Sequence, residues 1–149
     1  MNQCNPGFSL TVITLGVSDM RRSVRFYEDL GLVRKVRATG DEVAFFDAGG
    51  VMLALYGWDM LADDAALARS PRPPAFRGVT LARNCRTDAE VDATMAHAAS
   101  VGATLLKAAH LTSYGGYSGY FADLDGHAWE VVRAPGFGFT DDGRLILPD

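Results

Sequence analysis

Glu130 lies inside an apolar run, HAWEVVR at 127–133. A carboxylate in such a segment costs free energy unless it faces water, a partner or a metal. Its chemistry would be that of a general base, a hydrogen-bond acceptor or a metal ligand. His110, in LLKAAHLTSYGGYSGY, could serve as a second ligand or an acid–base partner, and otherwise reads as an exposed loop histidine. Tyr114, Tyr117 and Tyr120 flank Gly115, Gly116 and Gly119. Glycines allow close backbone approach, and tyrosines could wall a flat or aromatic ligand with a polar tip. Ordinary strand packing is expected for at least one of them. Tyr56 and Trp58 could form the opposite wall, and Arg83 could meet an anionic group unless it points outward. His127 directly follows the turn Asp125-Gly126 and is expected to lock it. His97, among alanines, reads as a surface or packing histidine. Asp123 and Asp125 stand in a loop too short to hold calcium.

These residues must be positioned by a pattern that occurs twice. Residues 9–17 read as a strand, with Asp19 placed to cap a helix. In that helix Met20, Val24, Tyr27 and Leu30 form the apolar stripe, and Gly31 is the stop. Strands are expected over 32–38, 42–48 and 51–57, turned by Thr39-Gly40-Asp41 and Gly49-Gly50. A joint follows over 58–77: a short acidic, alanine-rich helical piece, then Pro71-Arg72-Pro73-Pro74. The pattern then restarts with a strand over 78–84. Thr87 and Glu90 match a capping box, Val91, Met95 and Ala98 form the second stripe, and Gly102 ends it. Strands over 103–110, 117–123 and 127–133 complete the second β-α-β-β-β. The pairs Thr14-Leu15 and Thr80-Leu81 are read as the same register in each half. In the tail 135–149, Phe137, Phe139, Leu145 and Leu147 are expected to pack on the body or on a second subunit.

Strand alternation sorts the faces. With Glu130 on a cleft face, Ala128 and Val132 join it, while Trp129 and Val131 face the helices. In the first half Met52, Ala54 and Tyr56 face the cleft, with Leu53 and Leu55 opposite. The cleft-facing sets are the smaller ones, which leaves room for a ligand.

The chain has 149 residues, a net charge of −4 and 21% charged residues. That size can bury a sizeable core without staples. No basic stripe suggests nucleic acid, and no apolar run approaches a membrane span. Cys4 and Cys85 have no metal-type spacing and read as reduced thiols of a cytoplasmic protein.

The opening TLGVSDMRRSVRFYEDLGL and the closing GYFADLDGHAWEVV, in order and at this separation, resemble the vicinal oxygen chelate superfamily. That group includes glyoxalase I, bleomycin-resistance proteins and extradiol dioxygenases. The resemblance covers about residues 9–134. It implies an α+β fold in which two βαβββ modules, about 9–58 and 77–134, form a curved mixed sheet around a central cleft. The modules make one domain, joined by the proline-rich linker. The implied metal positions are Val12, Gly78, Ala54 (Leu53 with a one-residue slip) and Glu130. Only Glu130 can ligate, so no cofactor is expected, with a divalent metal at Glu130 left open.

The expected function is therefore binding of a small, flat or aromatic organic molecule in the cleft, by a cytoplasmic homodimer without nucleic-acid or membrane partners. The alternative is a lyase, isomerase or dioxygenase-like enzyme that uses Glu130 as a base or in an unusual metal set. A third is a partner protein without a working cleft.

Overall fold

A computed structural model describes residues 7–71 and 76–149. Cys4 and the Arg72-Pro73-Pro74 part of the expected joint lie outside the described residues. The first half runs β1 (Val12–Val17), α1 (Met20–Leu30), β2 (Val33–Lys35), a 3-10 turn (Arg37–Thr39), β3 (Val43–Asp47) and β4 (Met52–Gly57). α2 (Trp58–Asp64) opens the joint. The second half runs β5 (Thr80–Asn84), α3 (Asp88–Ser100), β6 (Thr104–Leu111), β7 (Tyr117–Ala122) and β8 (Ala128–Arg133). The tail adds a small hairpin, β9 (Gly138–Phe139) and β10 (Leu145–Ile146).

The class is α+β, as expected. Each half builds one mixed four-stranded sheet, in the orders β1-β4-β3-β2 and β5-β8-β7-β6. The first and last strands of each half pair in parallel, and the remaining pairs are antiparallel. β1 and β5 are terminal strands of their sheets.

Local chemistry explains the elements. Asp19 accepts from the Arg22 N–H at 3.1 Å, which satisfies one of the open donors of α1. Gly31 ends the helix at φ 114°, a left-handed conformation that glycine adopts without a Cβ clash. Thr87 caps α3 by accepting from the Glu90 N–H. The return arm of the box differs from expectation: Glu90 accepts from the Arg86 N–H at 2.8 Å, one residue early. β2 is shorter than expected because Val36 turns the chain at φ 48° into the 3-10 turn. β1 begins only at Val12, where pairing with β4 begins.

Both halves feed one core. Leu15, Val17, Leu53 and Leu55 of the first sheet meet Phe121 and Val131 of the second through Tyr27 and Phe26 of α1 and Val91 and Met95 of α3. The helix-facing sets are therefore those that alternation assigned. Each fully buried side chain of this size contributes about 1.5–3 kcal/mol relative to exposure. Tyr27 is central, with ring contacts to Phe26, Phe46 and Trp129 at 5.0, 6.0 and 6.1 Å.

The tail packs only in part. The Arg86 guanidinium lies 4.5 Å over the Phe139 ring, whereas Leu145 and Leu147 stay exposed on this chain.

Candidate functional site

Glu130 occupies the middle of β8, and the strand pairing sets its neighbours. Ala82 of β5 lies on one side and Tyr120 of β7 on the other, with Lys107 of β6 next along the same rung. Directly opposed residues of an antiparallel pair have Cβ atoms about 4.5–5.5 Å apart. That proximity lets the Tyr120 hydroxyl donate to Glu130 Oε2 in a close hydrogen bond. The bond holds the Tyr120 proton and, with partial loss of water, pushes its pKa up to about 12. Trp129 and Val131 occupy the alternate positions and belong to the core side.

The other candidates divide between locations. Tyr114 is exposed in the β6–β7 loop, close enough to Tyr120 for its charge to affect that phenol. His110 is opposite Ser118, on the rung beyond Tyr120, with Nδ1 3.2 Å from the Ala108 carbonyl of its own strand. Tyr117 faces the other way: its hydroxyl donates to Asp92 of α3 at 2.7 Å. Tyr56 lies on the first sheet, opposite Gly16 and Val43. Arg83 is exposed and shares its rung with the core residue Val131. His97 is exposed, with Nε2 2.8 Å from the Asp29 carbonyl of α1.

Trp58, at the start of α2, lines a cavity of about 990 Å³ where the two halves meet. Its walls come from α2, β1, the start of β5, β6 and the turn at 123–127; Leu61, Leu67, Phe76 and Leu106 supply apolar surface. Ala122 and Ala128 pair across β7 and β8 and line the same cavity. Tyr120 and Glu130 each lie two residues further along those strands, on the same face, about 6–7 Å away. Cavity and carboxylate thus share one continuous sheet surface.

Arg77 is a cavity residue that the sequence reading passed over. Its guanidinium lies 5.1 Å from the Trp58 ring and donates to the Asp125 carbonyl at 2.7 Å. Its Nη1 lies 3.1 Å from Nδ1 of His127. An isolated arginine before a strand has no motif to announce it; only the folding-back of the joint brings it here. Trp58 in turn donates from its indole N–H to the Ser70 carbonyl at 3.0 Å and stacks on His127. Gly16 admits the indole: a Cβ there would meet the Trp58 ring at 3.1 Å.

The acidic turn is a structural joint. Asp125 Oδ1 accepts from the Ser18 N–H and hydroxyl at 2.9 and 2.8 Å, and Oδ2 accepts from the Ser23 hydroxyl at 3.1 Å. Asp123 accepts from Tyr27, from the Asp125 N–H and from the His127 N–H. His127 locks the turn as expected, and its Nε2 also lies 2.8 Å from the Gly16 carbonyl.

The metal positions implied by the resemblance do not come together as a ligand set. In the observed pairing Ala54 and Glu130 are equivalent, being the third residues of β4 and β8, and their partners are Thr14 and Ala82. The two Thr-Leu pairs are therefore offset by two residues, since Thr80 faces Ala128. Gly78 falls before β5, at φ 83°. Among the described residues, no group of three or more His, Cys, Asp or Glu side chains is arranged to hold a metal ion. Glu130 with a tyrosine partner does not fit a divalent centre, which needs further protein ligands.

Comparison with known proteins follows this geometry. The family model described as Glyoxalase/Bleomycin resistance protein/Dioxygenase superfamily matches residues 9–131. A glyoxalase-related enzyme from Fulvimarina pelagi is 34% identical, with a TM-score of 0.83 over 95% of this chain and 99% of its own. A glyoxalase/bleomycin resistance protein/dioxygenase family enzyme from Burkholderia phytofirmans PsJN is 18% identical, with a TM-score of 0.70 over 85% of this chain and 99% of its own. A lactoylglutathione lyase from Agrobacterium tumefaciens is 22% identical, with a TM-score of 0.62 over 86% of this chain and 95% of its own. These last two share the fold. A search of curated proteins gives no match. Among the described residues, no helix is long and apolar enough to cross a membrane.

Proposed function

The chain belongs to the Glyoxalase/Bleomycin resistance protein/Dioxygenase superfamily, and from that premise we propose that it binds a small, flat or aromatic organic molecule without a metal. The binding unit is the domain at 9–134, with its two modules. One observation carries the reading: Ala122 and Ala128 line the 990 Å³ cavity, and the Tyr120–Glu130 pair follows them two residues along β7 and β8, on the same face and just outside that lining. An apolar cavity ending at a few polar groups is the usual form of a small-molecule site. Trp58 provides a stacking wall at the cavity, and Tyr114 and His110 stand near the Glu130 end. Tyr56 is a wall only if the first sheet of a second copy or of this chain closes over the ligand. Tyr117, tied to α3, contributes through the position of β7.

A homodimer fits the terminal strands β1 and β5, whose edges a second copy would cover. The free thiol Cys85 fits a reducing, cytoplasmic setting.

The test is titration with a panel of flat aromatic compounds, read by tryptophan fluorescence. Saturable quenching that disappears in Trp58→Phe, without turnover, is the expected result. No saturable response from any compound would overturn the reading.

A second reading, an enzyme of lyase, isomerase or dioxygenase type, is favoured by the same pair. A carboxylate beside a phenol could take and return a proton. Product formation in glyoxalase- or dioxygenase-type assays, abolished in Glu130→Gln, would establish it.

A further inference from the structure

The chemistry of the site restricts what it can accept, given that it binds a small molecule at all. The charged groups at the cavity are held by the protein itself. Asp123 is held by Tyr27 and two backbone N–H groups, and Asp125 by Ser18 and Ser23. His127 is held between Gly16 and Arg77, and Arg77 also by Asp125 and Trp58. A ligand entering the cavity meets apolar walls and ionisable side chains that are each already engaged by the protein. A charged body would lose its water there without compensation.

The Glu130 end differs. Tyr120 supplies the single donor that the described residues give this carboxylate, to Oε2, which leaves Oε1 open to a donor from outside the protein. The residue is half-buried, and its rung also holds a cation, Lys107, beyond Tyr120. Glu130 repels an anionic head.

We infer that the ligand carries no negative charge and has an apolar, flat body and one hydrogen-bond-donating head, a hydroxyl or N–H, which it presents to Glu130. The inference rests on the binding reading above. It goes further by fixing the ligand's charge and polarity and by giving Glu130 the role of selecting the head group.

The experiment is calorimetric titration at pH 7 with four naphthalenes of one shape: 2-naphthol, 2-methoxynaphthalene, 2-naphthoate and 2-naphthylmethylammonium. 2-Naphthol is expected to bind at least about tenfold more tightly than the methyl ether, as a hydrogen bond to a charged acceptor allows. It and the ammonium, the two donor heads, should also outbind 2-naphthoate. Glu130→Gln should erase the preference over the ether, whereas Glu130→Asp, which keeps the acceptor, should retain it. Equal affinities, or preference for 2-naphthoate, would overturn the inference while leaving small-molecule binding intact. Absence of binding by all four would overturn both.

Discussion

The Tyr27 hydroxyl donates to Asp123 Oδ2 over 2.6 Å, joining residues 96 positions apart in the chain. Tyr27 is fully buried in α1, and Asp123 is buried in the turn before β8. The Trp129 indole N–H donates to the same hydroxyl at 3.1 Å. Ser18 and Ser23 reach Asp125 in that turn. The two segments that carry the family resemblance are thus each other's binding partners. Their side chains fix the orientation of one half against the other, and the proposed small-molecule site is built around that joint.

Replacing Tyr27 by Phe keeps the ring packing and removes the hydroxyl. Asp123 then loses one donor, and the Trp129 N–H loses its acceptor. A hydrogen bond to a charged group contributes about 1.5–3 kcal/mol. The unfolding midpoint in urea should fall by that equivalent with an unchanged slope; an unchanged midpoint would refute the role given to this contact.

Asp125→Ala should be more damaging, since three donors from Ser18 and Ser23 lose their acceptor inside the protein. A loss of at least about 2 kcal/mol is expected. Combining Ser23→Ala with Asp125→Asn should cost less than the sum of the two single changes, because both disrupt one interaction. Strict additivity in a double-mutant cycle would show that the contact is idle.

Tyr120 offers a direct reading of the proposed site. Its hydrogen bond to Glu130, followed by loss of water, pushes its pKa up to about 12, against about 10 in the unfolded chain. A raised folded-state pKa favours the protonated phenol. Its contribution to stability is therefore full below about pH 10 and is lost as pH rises toward about 12. Phenolate absorbance compared with Tyr120→Phe should show Tyr120 titrating at about 12, and Glu130→Gln should move it toward about 10. A Tyr120 that ionises near 10 in the wild-type protein would mean that the pair is not formed.

Gly119 tests the packing behind the site. A Cβ there would lie 3.0 Å from the Ala109 backbone nitrogen and 3.1 Å from the Met95 methyl. Gly119→Ala should force β6 or α3 to shift, at a cost of about 1–3 kcal/mol. Thermal unfolding at an unchanged temperature would contradict that crowding.

Much of the fold was legible from short-range signals. Asp19, Gly31 and Thr87 mark helix ends because a cap needs a particular side chain or a left-handed residue at one position. Leu53 and Leu55 against Met52 and Tyr56 mark the faces of β4, because strand side chains alternate. Strand length was less legible: nothing local in the sequence shows that Val36 turns at positive φ, or that β1 begins only at Val12.

The site was legible where it follows from pairing. Glu130 was visible as a carboxylate among apolar residues, and Tyr120 as a tyrosine of the next strand. Strand packing was expected for at least one of the three tyrosines, and Tyr117 is that one: three residues from Tyr120, it lies on the other face and reaches α3. The cavity was not legible, because it depends on how the joint folds back. Trp58 and Arg77 meet across 19 positions, through a guanidinium on an indole that no spacing rule encodes.

The measurement that bears most directly on the central claim is chemical-shift mapping of the 15N-labelled protein with 2-naphthol, in the presence of a chelator. Saturable shifts centred on Ala122, Ala128, Glu130 and the Trp58 indole N–H are predicted, unchanged by the chelator. Shifts located elsewhere, or binding that vanishes when the chelator is added, would contradict a metal-free site on this sheet face.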